Sequence, residues 1–104
     1  MNTERNAYIA KMKTKLDKWN AKIDKLEIEA RQAGSDEKAK LSIQVVNLQA
    51  KRTEVNEKIE ALLRASEDTW KELRAGVESS WGVLDKAGHS AIANFKGAGA
   101  VKAL

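Results

Sequence analysis

Arg64-Ala65-Ser66-Glu67-Asp68-Thr69 is the stretch that decides the fold. Apolar stripes at helical spacing lie on both sides of it, and one helix either carries both or does not. Ser66 followed by Glu67 and Asp68 has the chemistry of a helix start: a hydroxyl to accept from free backbone amides, then acids where the helix dipole favours them. Against a start, the stretch contains neither Gly nor Pro. Glu60 with Arg64 and Glu67 with Lys71 also stand four residues apart in the favourable acid-to-base order, as they would along an uninterrupted helix. The spacing predicts one long helix over residues 36–96, roughly 90 Å at 1.5 Å per residue. A turn within 64–69, giving a three-helix bundle, is the alternative.

Upstream, Leu41, Val45, Leu48, Val55, Ile59 and Leu62 follow one another at steps of four and three, with Arg52 in one slot. Arg52 either snorkels or selects register there. Further back, Ile9, Met12, Leu16, Trp19, Ile23, Leu26, Ala30 and Ala33 alternate steps of three and four without a gap. That is the a/d heptad of a coiled-coil seam, whereas a strand would need period two. Trp19 falls on this stripe, so it reads as a ring filling a helix–helix seam more than as a stacking platform for a base or sugar. Thr3 suits an N-cap, with Glu4 in the first turn. Gly34 suits the left-handed position that ends a helix, and Ser35 with Asp36 and Glu37 suits the start of the next. Helix 1 is thus expected over 3–33 and helix 2 over 36–96. The fold class is all-α, an antiparallel helical hairpin or coiled coil.

Downstream, the apolar set is Trp70, Leu73, Val77, Trp81, Leu84, Ala91 and Phe95. A first helix of about 31 residues, laid antiparallel at 1.5 Å per residue, is used up near Leu62 to Ser66. In a hairpin, therefore, Trp70, Leu73, Val77, Trp81 and Leu84 form an uncovered association stripe. Gly76 and Gly82 each weaken a helix by about 1 kcal/mol relative to Ala. Residues 97–104, rich in Gly and Ala, are expected to fray.

The whole chain has 104 residues, enough for one domain. It has no Cys, which removes disulfides, thiolate nucleophiles and Cys-ligated metals and is compatible with a cytoplasmic location. No Pro interrupts a helix. Met1 to Lys15 alternates charges with single apolar residues, so no signal peptide is expected, and no run reaches the roughly 18 apolar residues of a spanning helix. The net charge is +4, and its excess lies in the first third, at lysines such as Lys11, Lys15 and Lys22. Asp17, Asp24 and Glu27 interrupt that basic stripe, so it reads as a solvated face and nucleic acid is not an expected partner. His89 is the single histidine and has no metal-ligand spacing around it. Gly97 and Gly99 make no phosphate loop. Asp36–Glu37 and Glu67–Asp68 are acids at helix starts. No catalytic residue, metal or cofactor is expected.

The segment from Ala65 to Trp81, running Ala-Ser, an acidic residue, Trp, then Leu-x-Ala-Gly-Val-Glu and Trp, resembles a recurring pattern in small bacterial coiled-coil proteins of largely unassigned function. Tyr8, Leu16, Trp19 and Ile23 among lysines extend the resemblance over most of residues 5–96. Gly82 departs from it, where charged residues are usual. The resemblance implies a helical, non-enzymatic protein and brings no catalytic residue. From the residues themselves, three roles compete. The leading one is an oligomeric or partner-docking coiled coil, using residues 67–96 against itself or another helical protein. The second is an amphipathic coat on a membrane or hydrophobic granule. The third is a stress-protective helical protein.

Overall fold

The computed structural model describes residues 3–97. They form three helices, α1 (Thr3–Gln32), α2 (Ser35–Arg64) and α3 (Trp70–Gly97), with no strand among them. The all-α expectation holds. The single helix over 36–96 does not form: the chain leaves helical geometry after Arg64 and resumes it at Trp70. The molecule accordingly measures 53 × 20 × 16 Å, far short of the roughly 90 Å of an unbroken second helix.

The contacts at the break explain it. Ala65 is extended, with φ −77° and ψ 152°, and its N–H bonds back to the Leu62 carbonyl. Ser66 O accepts from Thr69 N at 3.2 Å and Trp70 N at 3.1 Å, and the Ser66 and Thr69 hydroxyls bond each other. From the other end of the sequence Arg5 reaches in. Its guanidinium donates to Leu62 O at 3.3 Å and to Ala65 O. In a continuous helix those carbonyls would accept from Ser66 and Thr69. The acid–base pairs that favoured continuity contribute only about 0.2–0.5 kcal/mol each. Turning back buries Trp70, Val77, Leu84 and Phe95, each contributing roughly 1.5–3 kcal/mol. Burial wins.

The first turn also differs from expectation. Gly34 is not left-handed; its φ of −62° and ψ of 156° are extended, and it occupies the N-cap position of α2. Gly34 O accepts from Glu37 N at 3.0 Å and Lys38 N at 2.8 Å, and no side chain caps the helix. Ser35 is the first helical residue instead of the cap. Gly97 ends α3, and the rest of the expected frayed tail lies outside the described residues.

Cross-helix pairs give the register. Arg5 meets Leu62 and Ala65, Lys13 meets Glu60 at 3.6 Å, and Gln49 donates to Glu27 at 3.4 Å. Numbers thus fall along α2 as they rise along α1. Lys58 donates to Ser80 at 2.6 Å and Asn94 to Gln44 at 3.1 Å, so numbers fall along α2 as they rise along α3. Between α1 and α3, Tyr8 faces Trp70 and Lys15 lies over Trp81.

The core sits among all three helices. Ile9, Met12, Leu16, Trp19, Ile23, Leu26 and Ala30 of α1 are all buried, as the heptad requires. So are Leu41, Val45, Leu48, Val55, Ile59 and Leu62 of α2. α1 and α3 approach each other less closely than either approaches α2. Large rings fill that wider gap. Trp19 lies so near Gly88 that a Cβ there would stand 2.2 Å from the indole.

Candidate functional site

The stripe expected to associate is divided by the structure. Trp70, Val77 and Leu84 are buried inside the chain. Leu73 is 38% exposed, and Trp81 is half-buried with the Lys15 ammonium 5.5 Å from its ring centroid. The inward face of α3 instead takes in Ser80 and Gly88. A helix lying against two partners buries a wider sector than one lying on a single seam. Ser80 turns toward α2 and Trp81 toward α1. The reversal at 65–69, which hairpin arithmetic left out, covers Trp70, Val77 and Leu84 of that expected stripe, while Leu73 stays exposed and Trp81 partly so.

A different apolar surface is uncovered. On α2, Ile43 is 70% and Val46 64% exposed. Ala39 and Ala50 are exposed as well. The steps from 39 to 43 to 46 to 50 are four, three and four, so the four residues share one side of the helix. That side lies opposite Leu41, Val45 and Leu48. Residues 41–50 form the longest run without a charged side chain in a chain that is 33% charged. At its edge a shallow groove of about 160 Å³ lies between Val46, Ser42 and Gln49 on one helix and Glu27 and Arg31 on the other. Arg31 and Glu27 close that rim with an ion pair of 2.6 Å. Following the inward heptad alone misses this face. Its signal is nevertheless present in the sequence, as a second four-three-four spacing inside an uncharged run.

A polar groove of about 470 Å³ opens between α1 and α2, lined by Leu16, Asn20, Asp24, Arg52, Thr53 and Asn56. Arg52 therefore keeps its seam slot while lining a groove open to solvent. Thr53 donates to the Gln49 carbonyl at 2.9 Å. The groove brings together a guanidinium, one carboxylate and two amides, with no nucleophile–base pair. His89 is exposed on α3, its Nδ1 2.8 Å from the Asp85 carbonyl and its ring edge-on to Trp19. Among the described residues no three of His, Asp and Glu gather as a metal site.

Among the described residues, Tyr8 carries a clearly displaced titratable group. Its hydroxyl is pushed up to about 12, first by burial and then by the negative charge of Glu78, with Arg74 opposing. The Arg74 guanidinium lies 5.7 Å from both the Tyr8 and Trp70 ring centroids. This cluster ties α1 to the start of α3. Among the described residues no helix is long and apolar enough to cross a membrane.

No family model matches the chain, and neither does any curated protein or solved structure.

Proposed function

We propose that the protein is a non-enzymatic interaction module: an up-down-up three-helix bundle that docks another helix on the outer side of α2. One observation carries this reading. Ile43 and Val46 stand exposed, side by side, in the middle of the uncharged run 41–50. Interface cores are depleted in charge and built from apolar side chains, and a helix offers such anchors at steps of three and four. Ile28, Leu63, Leu73 and Val83 are exposed as well, but they lie outside the uncharged run, on a surface otherwise dense in Lys, Arg, Asp and Glu.

Coating of a membrane or granule is a weaker reading. The side chains it would insert, Trp70, Val77 and Leu84, are occupied inside the chain, and α3 would have to leave the bundle first.

The test is site-specific photocrosslinking in native cells. A photoreactive residue at Ile43 should capture a protein, and the same residue at Lys86, on the outer side of α3, should not. Equal capture at the two positions, or none at Ile43, refutes the docking face.

A further inference from the structure

The lysines of α1 form a row in space that their order along the chain conceals. Lys11, Lys15, Lys18, Lys22 and Lys25 follow one another at steps of four, three, four and three, so they share one side of the helix. Asp17, Asp24 and Glu27, which interrupt them in sequence, stand on the other flank. Glu27 accepts from Gln49 of α2 at 3.4 Å, and Asp24 lines the groove between α1 and α2 with Arg52. Asp17 lies seven residues before Asp24, two turns along the same side. The lysines turn instead toward α3. The Lys15 ammonium is 5.5 Å from the Trp81 ring centroid. The Lys22 ammonium is 4.7 Å from that of Trp19, whose indole meets α3 at Gly88 and His89.

Four of these lysines are exposed and Lys15 is partly so. Among the described residues Lys11, Lys15, Lys18 and Lys22 make no ion pair, whereas Lys13, on the α2 side, pairs with Glu60. Cations three and four residues apart on a helix repel one another, and a line of anions laid along the row relieves that repulsion. From α3, Arg74 adds a guanidinium over Tyr8. The carboxylates of α3 toward this side are Glu78, which faces Tyr8, and Asp85, which stands 3.6 Å from His89.

We propose that this row binds the phosphate backbone of double-stranded nucleic acid without regard to base sequence. From position 11 to 25 it runs about 21 Å at 1.5 Å per residue, the rise of about six phosphates along one strand. Lysine is a flexible point charge suited to phosphate oxygens, and such contacts hold a duplex whatever its sequence. The row is straight and one side chain wide, which matches a line of phosphates. A lipid surface calls for apolar side chains inserted beside the charges. Among its described residues α1 exposes one large apolar side chain, Ile28, beyond the end of the row.

The probe is a fluorescently labelled DNA duplex of mixed sequence, titrated with the full chain and followed by anisotropy at several salt concentrations. Five neutralised phosphates give a slope of about −4.5 in log K against log salt, a loss of roughly 500-fold between about 50 and 200 mM. Lys11→Gln/Lys18→Gln/Lys22→Gln should flatten the slope to about −2, and Lys11→Gln or Lys18→Gln alone should flatten it by about 0.9. Lys38→Gln/Lys40→Gln/Lys86→Gln removes the same charge from exposed sites on α2 and α3 and should leave the slope unchanged. Glutamine and lysine have similar helix propensities, so circular dichroism should show both triple variants as helical as the natural chain. A duplex of shuffled sequence should bind equally well. Equal flattening in the two triple variants, or no binding at about 50 mM salt, overturns the row as a site. A strong preference for one duplex sequence overturns the backbone contact. Binding to phosphatidylserine vesicles without binding to the duplex overturns nucleic acid as the occupant.

Discussion

Replacing Gly88 by Ala tests the tightest contact in the fold. A Cβ at this position would lie 2.2, 2.3 and 2.9 Å from Cη2, Cζ3 and Cζ2 of Trp19. Carbon atoms rest about 3.5–4.0 Å apart, so the indole or a helix must retreat by about 1.3 Å. The indole has little freedom to do so. It is buried, with the His89 ring 5.6 Å away on one side and the Lys22 ammonium 4.7 Å from its centroid. Overpacking of this kind costs about 1–3 kcal/mol. Alanine in place of glycine also favours a helix by about 1 kcal/mol, and this gain must be separated out. Gly82 provides the control, since it sits on the same helix with nothing within 4 Å of its added Cβ. Gly82→Ala should be stabilising, and Gly88→Ala should fall below it by about 1–3 kcal/mol in urea denaturation followed by circular dichroism. With Trp19→Leu in the background, the clash disappears and Gly88→Ala should gain stability as Gly82→Ala does. Equal stability of the two alanine variants in the natural background would refute the close approach of Trp19 to α3.

Arg5→Ala removes the guanidinium from the carbonyls of Leu62 and Ala65 and should cost about 1–3 kcal/mol of unfolding free energy; a loss below about 0.5 kcal/mol would relieve Arg5 of that role. Gly34→Val should stay within about 0.5 kcal/mol of the natural chain, because φ is −62° and the added Cβ meets nothing; a thermal transition many degrees lower would restore the left-handed assignment. Tyr8 is the only tyrosine, so phenolate absorbance follows it alone. Its hydroxyl, pushed up to about 12, keeps the neutral form in the folded state. The stability this gives is complete below the unfolded value near 10 and is lost as pH rises through about 12. Glu78→Gln should bring the titration down; titration at 10 in the folded protein would show an unburied hydroxyl.

The inward faces of α1 and α2 were legible because each helix presents a narrow stripe to the core. From Ile9 to Ala30 and from Leu41 to Leu62, spacing alone named the buried residues. The reversal at 65–69 was legible only as a half-signal, Ser66 with Glu67 and Asp68. What holds it is a guanidinium 57 and 60 residues away in sequence together with the burial of α3 against α1 and α2, and no local window contains those. Around α3 the failure was geometric. A stripe of the largest side chains selected Leu73 and Trp81, whereas a helix between two partners also takes in small residues such as Ser80 and Gly88. Gly88 had a trace in the sequence: the seven-residue step from Leu84 to Ala91 leaves a slot four residues after Leu84. At Gly34 the residue type fits both ends of a helix, and spacing does not choose between them.

The Arg5 clasp has a bearing on how the molecule is made. Synthesis runs from the first residue onward, so α1 and its guanidinium leave the ribosome before Leu62 and Ala65. Once α2 has emerged and paired with α1, a donor already waits at the carbonyls where a straight helix would continue. The burial of Trp70, Val77, Leu84 and Phe95 then holds the change of direction for which Arg5 supplies the donors.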